Sequence, residues 1–260
     1  MKTALRFCAM AVVSGFALPA LAAAPPDLSG RWIPVAAMAT PWPDPLPLTD
    51  AARQRLAAFD PDRDEPAGFC MPLGTPRNTL SGTSPLEVLQ TADRIYFIFQ
   101  PDLLNGETRR VYLDGRAIPD QTDVPPTWLG TSRGHWEGDV LVVKTVGLEP
   151  QALLAGNGLS HGPQFNLTER WRLATDPKRG RVLVDELVME DADAFTRPIK
   201  LRRVFAWAPD AAMSEGHCSE RLWIDELWRR RLGEHAAAAR AGKPKQTPER
   251  VRTDQPEAQR

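Results

Sequence analysis

The chain has 260 residues, of which 32 are basic and 33 are acidic, and its formal net charge is −1. This balance lacks the excess of Lys and Arg that marks a nucleic-acid-binding protein. Beyond the first residues, no segment reaches the roughly 20 apolar residues of a membrane span, which excludes an integral helical membrane protein. Without a linker in its middle, the chain is expected to form one domain.

The N-terminus has the pattern of a secretory signal peptide over residues 1–22. Lys2 and Arg6 precede an apolar run that ends in the small-residue sequence ALA. We therefore expect cleavage near Ala22 and a periplasmic or secreted protein. Removal of the two basic residues changes the net charge from −1 to −3.

Cys70 and Cys218 are the cysteines that remain after this cleavage. An even number of cysteines in an oxidising compartment predicts one disulfide bond, which would connect the N-terminal coil to the last strand. The alternative is a pair of buried free thiols.

Residues 23–85 are rich in proline, in stretches such as PWPDPLPL, DPDRDEP and CMPLGTP. Because proline cannot donate a ladder hydrogen bond, this segment is predicted to be irregular coil wrapped on the rest of the molecule. One short helix is predicted within it, over LTDAARQRLAAF. Thr49 suits its N-cap, and Leu56 and Phe59 are spaced to share one face.

Residues 86–218 show apolar residues with a period of two, in runs such as RIYFIF, VLVVKTV, RVLVDELVM and IKLRRVFAW. These runs predict antiparallel strands, since no helical crossover of the kind that parallel strands require lies between them. An all-β fold is therefore predicted, an antiparallel meander that closes into a barrel and so removes its exposed edges, with an open sandwich as the alternative. Residue pairs that suit hairpin turns are Asn105-Gly106, Asp114-Gly115 and Gly138-Asp139.

The C-terminal part is predicted to be a helix over residues 219–240 and a disordered tail over residues 241–260. The tail has no aromatic residue and is rich in Lys, Gln, Pro and Glu. Apolar residues of the helix that are available for docking are Leu222, Trp223, Leu227, Trp228 and Leu232.

The stretch GHWEGDVLVVKTVGL is predicted to be a hairpin rather than an active site. A two-residue turn at residues 138–139 places Arg133 opposite Lys144, sends Trp136 to an apolar face and leaves His135 on the other face. His135 remains either a half-exposed strand residue or a member of a site. The overlapping sequence GTSRG matches the G-x-S-x-G motif of esterases, but that serine needs a sharp strand-to-helix turn, and here the chain continues as a strand.

Charged residues on apolar strand faces are better site candidates. Glu169 shares its face with Trp171, and Arg203 points to the apolar side of IKLRRVFAW. Because a buried charge is costly unless it is paired, Glu169 is predicted to pair with Arg203. The pair could be a structural salt bridge, or a catalytic pair in which Glu169 is the general acid or base and Arg203 holds an anionic group. Trp171, Arg133 and His135 are then candidates for substrate binding.

His161 lies in the loop GNGLSHGP, where it could reach over a barrel mouth as a further catalytic residue or remain an exposed loop histidine. Ser160 beside it is poor support for a Ser–His dyad, because such pairs are neighbours in space. The four histidines lack metal-ligand spacings such as H-x-H, and nothing resembles a P-loop or a dinucleotide fingerprint. We therefore expect neither a metal nor a cofactor.

Five segments occur together in the order FCMPLGTP, RRVYLDGRAIP, GTSRGHWEGDVLVVKTVGL, GLSHGPQFNLTERWRL and DADAFTRP. With these segments the chain resembles, over residues 27–220, a widespread family of exported bacterial proteins. The resemblance implies little about chemistry, because no reaction is assigned to the family as a whole. The family usually has arginine at His135, aspartate at Lys144 and histidine at Ile118, so a shared metal site would lack one ligand here. The sequence LSGRW is similar to the G-x-W strand opening of lipocalin-like barrels, which favours a calycin-like barrel.

Three functional hypotheses fit these features. The first is an exported barrel that holds a small apolar or aromatic molecule and acts on it by cofactor-independent acid–base chemistry, as a lyase, isomerase or hydrolase. The second is a binding protein of the same shape without catalysis. A third hypothesis is an envelope interaction module that uses the C-terminal helix. The sequence does not indicate the oligomeric state.

Overall fold

The computed structural model describes residues 24–81, 85–100, 106–213, 216 and 218–240. The predicted signal peptide, Asn105 of the first predicted turn and the predicted tail lie outside these residues. The strands of the described part are β1 (Gly30–Pro34), β2 (Leu86–Gln90), β3 (Arg94–Phe99), β4 (Glu107–Tyr112), β5 (Thr131–Glu137), β6 (Val140–Val146), β7 (Leu153–Ala155), β8 (Leu159–Ser160), β9 (Asn166–Asp176), β10 (Gly180–Glu190) and β11 (Ile199–Trp207). Its α-helices are α1 (Asp50–Ala58), α2 (Pro61–Asp64), α3 (Arg77–Leu80) and α4 (Glu220–Arg240).

The predicted all-β barrel is confirmed. Nine strands close in the order β1-β11-β10-β9-β6-β5-β4-β3-β2, and β7 and β8 form a separate two-stranded sheet. One pairing differs from the predicted antiparallel meander, because β4 and β5 run parallel, with Tyr112 beside Arg133. Residues 113–130 connect these strands, and a connection of more than a dozen residues is long enough to start the next strand at the same end of the sheet. Asp114-Gly115 is therefore not a hairpin turn, and the barrel is mixed.

The predicted hairpin at Gly138-Asp139 is confirmed with its register. It joins β5 to β6. Glu137 pairs with Val140 next to the turn, and the ladder includes the predicted pair of Arg133 and Lys144. Gly138 has a φ of 63°, which suits glycine in a tight turn. The stretch that contains the EGD sequence is thus a turn on the barrel.

The proline-rich segment contains more regular structure than the one helix predicted. That helix is α1, and the Thr49 hydroxyl caps it by accepting a hydrogen bond from the Ala52 amide at 3.2 Å. The helices α2 and α3 follow in the same segment. The segment also contributes β1, which pairs with both β2 and β11, so the barrel begins at Gly30 rather than at residue 86. Only five residues long and ending at Pro34, β1 shows too little alternation to be recognised by its period, although LSGRW resembles a barrel strand opening.

A layer of polar side chains divides the barrel interior into two apolar halves. On each of three neighbouring strands, one polar residue lies between an inward residue of one apolar half and an inward residue of the other. These triplets are Leu167-Glu169-Trp171 on β9, Leu187-Asp185-Leu183 on β10 and Leu201-Arg203-Phe205 on β11. The six residues that we call the polar layer are Arg109, Ser132, Thr145, Glu169, Asp185 and Arg203.

Cys70 and Cys218 form the predicted disulfide bond, with their Cα atoms 5.6 Å apart. The prediction that Cys218 belongs to the last strand is wrong, because β11 ends at Trp207 and Cys218 lies just before α4, which begins at Glu220. The bond therefore fastens the start of α4 to the proline-rich segment.

The predicted C-terminal helix is present as α4, and Arg230 and Arg231 form ion pairs with Asp62 of α2. Trp228 and Leu232 are 49% and 62% exposed, so these two residues are not docked on the barrel. The side chains of Leu222 and Trp223 lie outside the described atoms. Within the described ranges, no helix combines the length and apolar character that a bilayer crossing requires.

Candidate functional site

Strand parity brings the polar layer together. Inward and outward residues alternate along a strand, so β4 directs Arg109 into the barrel, β5 directs Ser132 and β6 directs Thr145. All six residues of the layer are buried, and Arg203 is the most exposed at 8%. The layer therefore lies in a low-dielectric interior, where each charge needs a partner.

Arg109 is the centre of the hydrogen-bonded part of the layer. Its Nη1 atom donates to Glu169 Oε1 at 2.8 Å, and its Nη2 atom donates to Glu169 Oε2 and, at 2.7 Å, to Thr145 Oγ1. Its Nε atom donates to Ser132 Oγ at 3.1 Å. The bidentate ion pair fixes both side chains in one geometry. Ser132 lies within a strand, as predicted, and the structure adds that it is a buried hydrogen-bond partner of Arg109.

Asp185 is the unpaired member of the layer. It is fully buried, and neither of its carboxyl oxygens accepts a hydrogen bond from a group in the described part of the chain. Burial raises the pKa of Asp185 well above its ordinary value of 3.8, and the charge of Glu169 raises it further, while Arg109 and Arg203 act in the opposite direction. Asp185 is therefore a neutral carboxylic acid over a pH range in which an exposed aspartate is ionised.

Arg203 is buried as predicted, but its predicted partner is wrong. In the sheet β10 lies between β9 and β11, so the cross-strand neighbour of Arg203 is Asp185 and not Glu169. The Arg203 Nη1 atom donates to the carbonyl oxygen of Thr40 at 2.9 Å and to that of Arg202 at 3.2 Å. Burial lowers the pKa of Arg203, and the charge of Asp185 opposes this shift. Glu169 is instead neutralised by Arg109.

Sequence reasoning missed Arg109 and Asp185, although the signal was the same alternation that identified Glu169. Arg109 shares the inward face of β4 with Val111, and Asp185 shares the inward face of β10 with Leu183 and Leu187. Both are charged residues on apolar faces. The pattern on β4 and β10 is thus the same as the pattern on β9 and β11.

Glu107 extends the buried polar groups toward α3. Its carboxylate accepts hydrogen bonds from the Leu73 amide at 2.5 Å, the Gly74 amide at 3.1 Å and the Asn78 side chain at 3.1 Å. Burial raises the pKa of Glu107, and these hydrogen bonds act in the opposite direction. Its oxygens are occupied by the segment before α3, so Glu107 holds that segment to the barrel.

The structure separates the three residues predicted to bind substrate. Trp171 points inward beside the layer, stacks on Phe97 at 4.6 Å between ring centroids, and its Nε1 atom has no hydrogen-bond acceptor in the described part of the chain. Arg133 and His135 point to the outer face of the barrel, where His135 contacts Glu137 at 3.2 Å. Of the three, Trp171 is the residue that faces the barrel interior, where it is fully buried.

His161 lies outside the polar layer, in the loop between β8 and β9. It is 8% exposed, with Nδ1 2.8 Å from the carbonyl oxygen of Gly162 and Nε2 3.1 Å from that of Glu149. It lines a pocket of about 290 Å³ formed by loop residues. The Ser160 hydroxyl accepts a hydrogen bond from Arg55 at 3.3 Å, which gives it a partner other than His161. The structure therefore does not bring His161 to Glu169 and Arg203 as one site.

Comparison with protein-family models gave no match, and comparison with curated proteins gave no match either. Within the described residues, no three His, Cys, Asp or Glu side chains are grouped so that they could hold one metal ion. Function must therefore be inferred from the chemistry of the polar layer itself.

Proposed function

We propose that this chain is an exported barrel protein that binds a small, largely apolar or aromatic molecule beside the polar layer and acts on it by cofactor-independent acid–base chemistry. Asp185 is the acid in this proposal. The observation that supports it is the fully buried Asp185 carboxyl group without a hydrogen bond to the described protein. An unsatisfied buried polar group costs about 1–3 kcal/mol. A bound molecule with a hydroxyl or carbonyl oxygen would supply the missing hydrogen bond.

Asp185 is better suited to donate a proton than Glu169. Its raised pKa keeps it protonated as the pH rises above 3.8, and a general acid works best when its pKa is near the working pH. Glu169 has both oxygens bound by Arg109. The role of Glu169 is then that of a fixed anion, which together with burial holds the proton on Asp185.

Among lyase, isomerase and hydrolase, isomerase agrees best with a single free acid. Asp185 donates its proton to one atom of the substrate, and the resulting carboxylate accepts a proton from another atom of the same molecule. The carboxyl group regains its starting state, so the net change is a rearrangement of the substrate alone. Arg203, whose charge acts on Asp185, stabilises the carboxylate between the two steps.

The surroundings of Asp185 support a substrate with an apolar body. Trp171 is the cross-strand neighbour of Asp185, and its ring lies in a stack with Phe97 at 4.6 Å and Phe205 at 6.0 Å. Because these rings already cover one another's faces, an apolar ligand would pack against the edge of this aromatic cluster. The free Nε1 donor of Trp171 adds a second polar contact for an oxygen of the ligand.

To test catalysis, purified protein would be incubated with a panel of aromatic and terpenoid compounds and the products followed by mass spectrometry. Asp185→Asn keeps the shape of the side chain and removes the acid, and Glu186→Gln makes a comparable change at the next, outward position of β10. We expect turnover to fall by at least roughly a hundredfold in Asp185→Asn, the lower range of effects for a general acid, and to persist in Glu186→Gln. Unchanged turnover in folded Asp185→Asn would refute the catalytic role.

A non-catalytic binding protein is the second candidate, because the Asp185 hydrogen bond needs a ligand whether or not a reaction follows. Native mass spectrometry of the intact chain distinguishes the two. A compound that is retained unchanged by the wild type, and lost from Asp185→Asn, would favour a binding protein.

A further inference from the structure

The outer face of strands β3–β6 carries a second group of charged residues, on the opposite side of the sheet from the polar layer. Cross-strand pairing places its members in two adjacent rows. What we call the cationic face comprises Arg94, Tyr112, Arg133 and Lys144 in one row, Leu89, Tyr96 and Arg110 in the next, and Arg116 just after β4. With strands about 4.8 Å apart, the first row crosses four strands and extends roughly 14 Å.

Tyr112 is the centre of the cationic face, and four guanidinium groups surround its ring. Their distances to the ring centroid are 4.7 Å for Arg133, 5.6 Å for Arg116, 5.7 Å for Arg94 and 6.0 Å for Arg110. Arg110 also donates a hydrogen bond to the Tyr112 hydroxyl at 3.3 Å, and it lowers the pKa of that hydroxyl, with a smaller contribution from Arg94 and Arg133. Such crowding of like charges marks a region of positive potential.

Nearby carboxylates neutralise this charge only in part. Asp93 pairs with Arg94 at 3.1 Å, and Asp114 pairs with Arg116 and, at 3.7 Å, with Arg133. Five cations against these two carboxylates leave an excess of three positive charges, on a chain whose net charge is −1. The Arg133 side chain is only 16% exposed and its Nε and Nη1 atoms are buried, so it adds charge to the face, and the exposed Arg110, Arg116 and Lys144 are the groups that a partner can contact. The cationic face is therefore a concentrated positive region that can accept anionic partners.

The arrangement of the cations indicates which class of anionic partner fits the cationic face. Four of the cations lie around the Tyr112 ring, which separates their guanidinium groups from one another, and Lys144 lies one strand beyond Arg133, so a single small anion cannot contact them all. Single-stranded nucleic acid gains much of its affinity from bases that stack on aromatic rings. Here guanidinium groups already lie over the Tyr112 ring, which leaves little room for a base. A surface with many anionic groups fits better.

Leu89 supplies the observation that favours a lipid surface over a soluble polyanion. It is 47% exposed, faces outward on β2 and pairs across the strands with Tyr96, whose ring lies 5.6 Å from the Arg110 guanidinium. Apolar and aromatic side chains beside arginines are typical of proteins that lie at a membrane interface, where the apolar parts enter and the cations contact headgroups. We propose that the cationic face binds the surface of a bilayer that contains anionic lipids.

The test is co-sedimentation of the full chain with vesicles of phosphatidylcholine alone and of phosphatidylcholine mixed with phosphatidylglycerol. One triple variant, Arg110→Gln with Arg116→Gln and Lys144→Gln, removes exposed charges of the cationic face. A matched triple variant, Arg172→Gln with Arg179→Gln and Lys200→Gln, removes the same charge from β9, the β9–β10 turn and β11. Each cation near an anionic surface contributes about fivefold in affinity, equivalent to about 1 kcal/mol.

We expect wild-type protein to bind the mixed vesicles and not phosphatidylcholine alone, with binding that weakens as salt rises. The first triple variant should bind on the order of a hundredfold more weakly, and the matched triple variant should bind much like the wild type. Equal losses in the two variants, or equal binding to the two kinds of vesicle, would overturn the proposal.

Leu89→Ser separates a lipid surface from a soluble polyanion. We expect it to weaken binding to the mixed vesicles by several-fold and to leave binding to dextran sulfate unchanged. No effect on vesicle binding, or tighter binding of a single-stranded oligonucleotide than of vesicles, would overturn the choice of a lipid surface. Circular dichroism of each variant checks that the barrel is folded.

Discussion

Arg109 and Arg110 are neighbours on β4, yet they lie in opposite environments. Arg109 points into the barrel, is 1% exposed and donates to Glu169 and two hydroxyl groups. Arg110 points outward, is exposed, and lies over two tyrosine rings. The same residue type thus completes a fixed ion pair inside and adds to the concentrated positive charge of the cationic face outside. Strand parity decides which of the two roles an arginine takes.

The aspartates show the same contrast. Asp185 is buried, and its pKa lies well above 3.8 because burial disfavours the charged form. Asp114 lies on the surface, where the hydrogen bond from Arg116 lowers its pKa to about 2. The interior therefore holds a neutral acid, and the surface holds a carboxylate. The proposed acid–base function therefore uses the interior of the barrel, and the proposed membrane binding uses its outer face.

The contrast between buried and exposed charges predicts its largest effect, on the free energy of unfolding, for the replacement of Arg109. Arg109→Met would leave the Glu169 carboxylate buried without its partner, which costs about 3–5 kcal/mol in the free energy of unfolding. Arg110→Met removes the same charge from the surface and should leave the free energy of unfolding nearly unchanged. Urea unfolding of the two variants measures the difference.

A double variant sharpens this result. Arg109→Met with Glu169→Leu removes both charges, so it should be much more stable than Arg109→Met alone. Similar stability of the Arg109 and Arg110 single variants would contradict the assigned burial of Arg109.

The second effect is a dependence of stability on pH that comes from Asp185. The folded-state pKa of Asp185 is raised, so between pH 3.8 and that pKa the folded protein holds a proton that the unfolded chain has lost. The stability that this group contributes in full below pH 3.8 is therefore lost as the pH rises through the folded-state pKa. Relative to Asp185→Asn, which does not titrate, the wild type should lose about 1.4 kcal/mol per pH unit in this window. Urea unfolding of both proteins from about pH 4 to about pH 7 measures it. Parallel stability curves would show that Asp185 titrates normally.

The smallest expected effect on stability comes from removing the hydroxyl group of Ser132. Ser132→Ala removes the acceptor of the Arg109 Nε atom and leaves a buried donor unsatisfied, at a cost of about 1–3 kcal/mol. Thr108→Ala, at an exposed outward position of β4, should stay within about 0.5 kcal/mol of the wild type. Thermal unfolding of both variants checks this, and a larger loss for Thr108→Ala would reverse the assignment of inner and outer faces.

Local pattern predicted the parts of the fold that depend on neighbouring residues. The two-residue turn at Gly138-Asp139 sets the register of β5 and β6, so the pairing of Arg133 with Lys144 followed from the sequence. Alternation also placed Glu169 and Arg203 inside the barrel, and both are buried. The parallel pairing of β4 with β5 was not predictable in this way, because residues 113–130 contain no crossover helix to indicate it.

The partners inside the layer depend on how the barrel closes. Arg109 lies on β4 and Glu169 on β9, with β5 and β6 between them in the sheet, so their contact crosses the interior. No local periodicity carries this information. It was predictable that a buried glutamate needs a cation, but the choice between Arg109 and Arg203 requires the strand order. The catalytic roles proposed for Glu169, Arg203 and His161 from sequence stay predictions.

A neutral acid inside the barrel can be observed directly by carbon-13 NMR of protein labelled at its aspartate carboxyl groups. The signal that disappears in Asp185→Asn belongs to Asp185. We predict that this signal keeps the chemical shift of a protonated carboxyl group as the pH rises above 3.8, where the signals of exposed aspartates move to the ionised position. A signal that titrates near 3.8, the ordinary value, would contradict a partnerless buried acid at Asp185 and with it the proposed acid–base function.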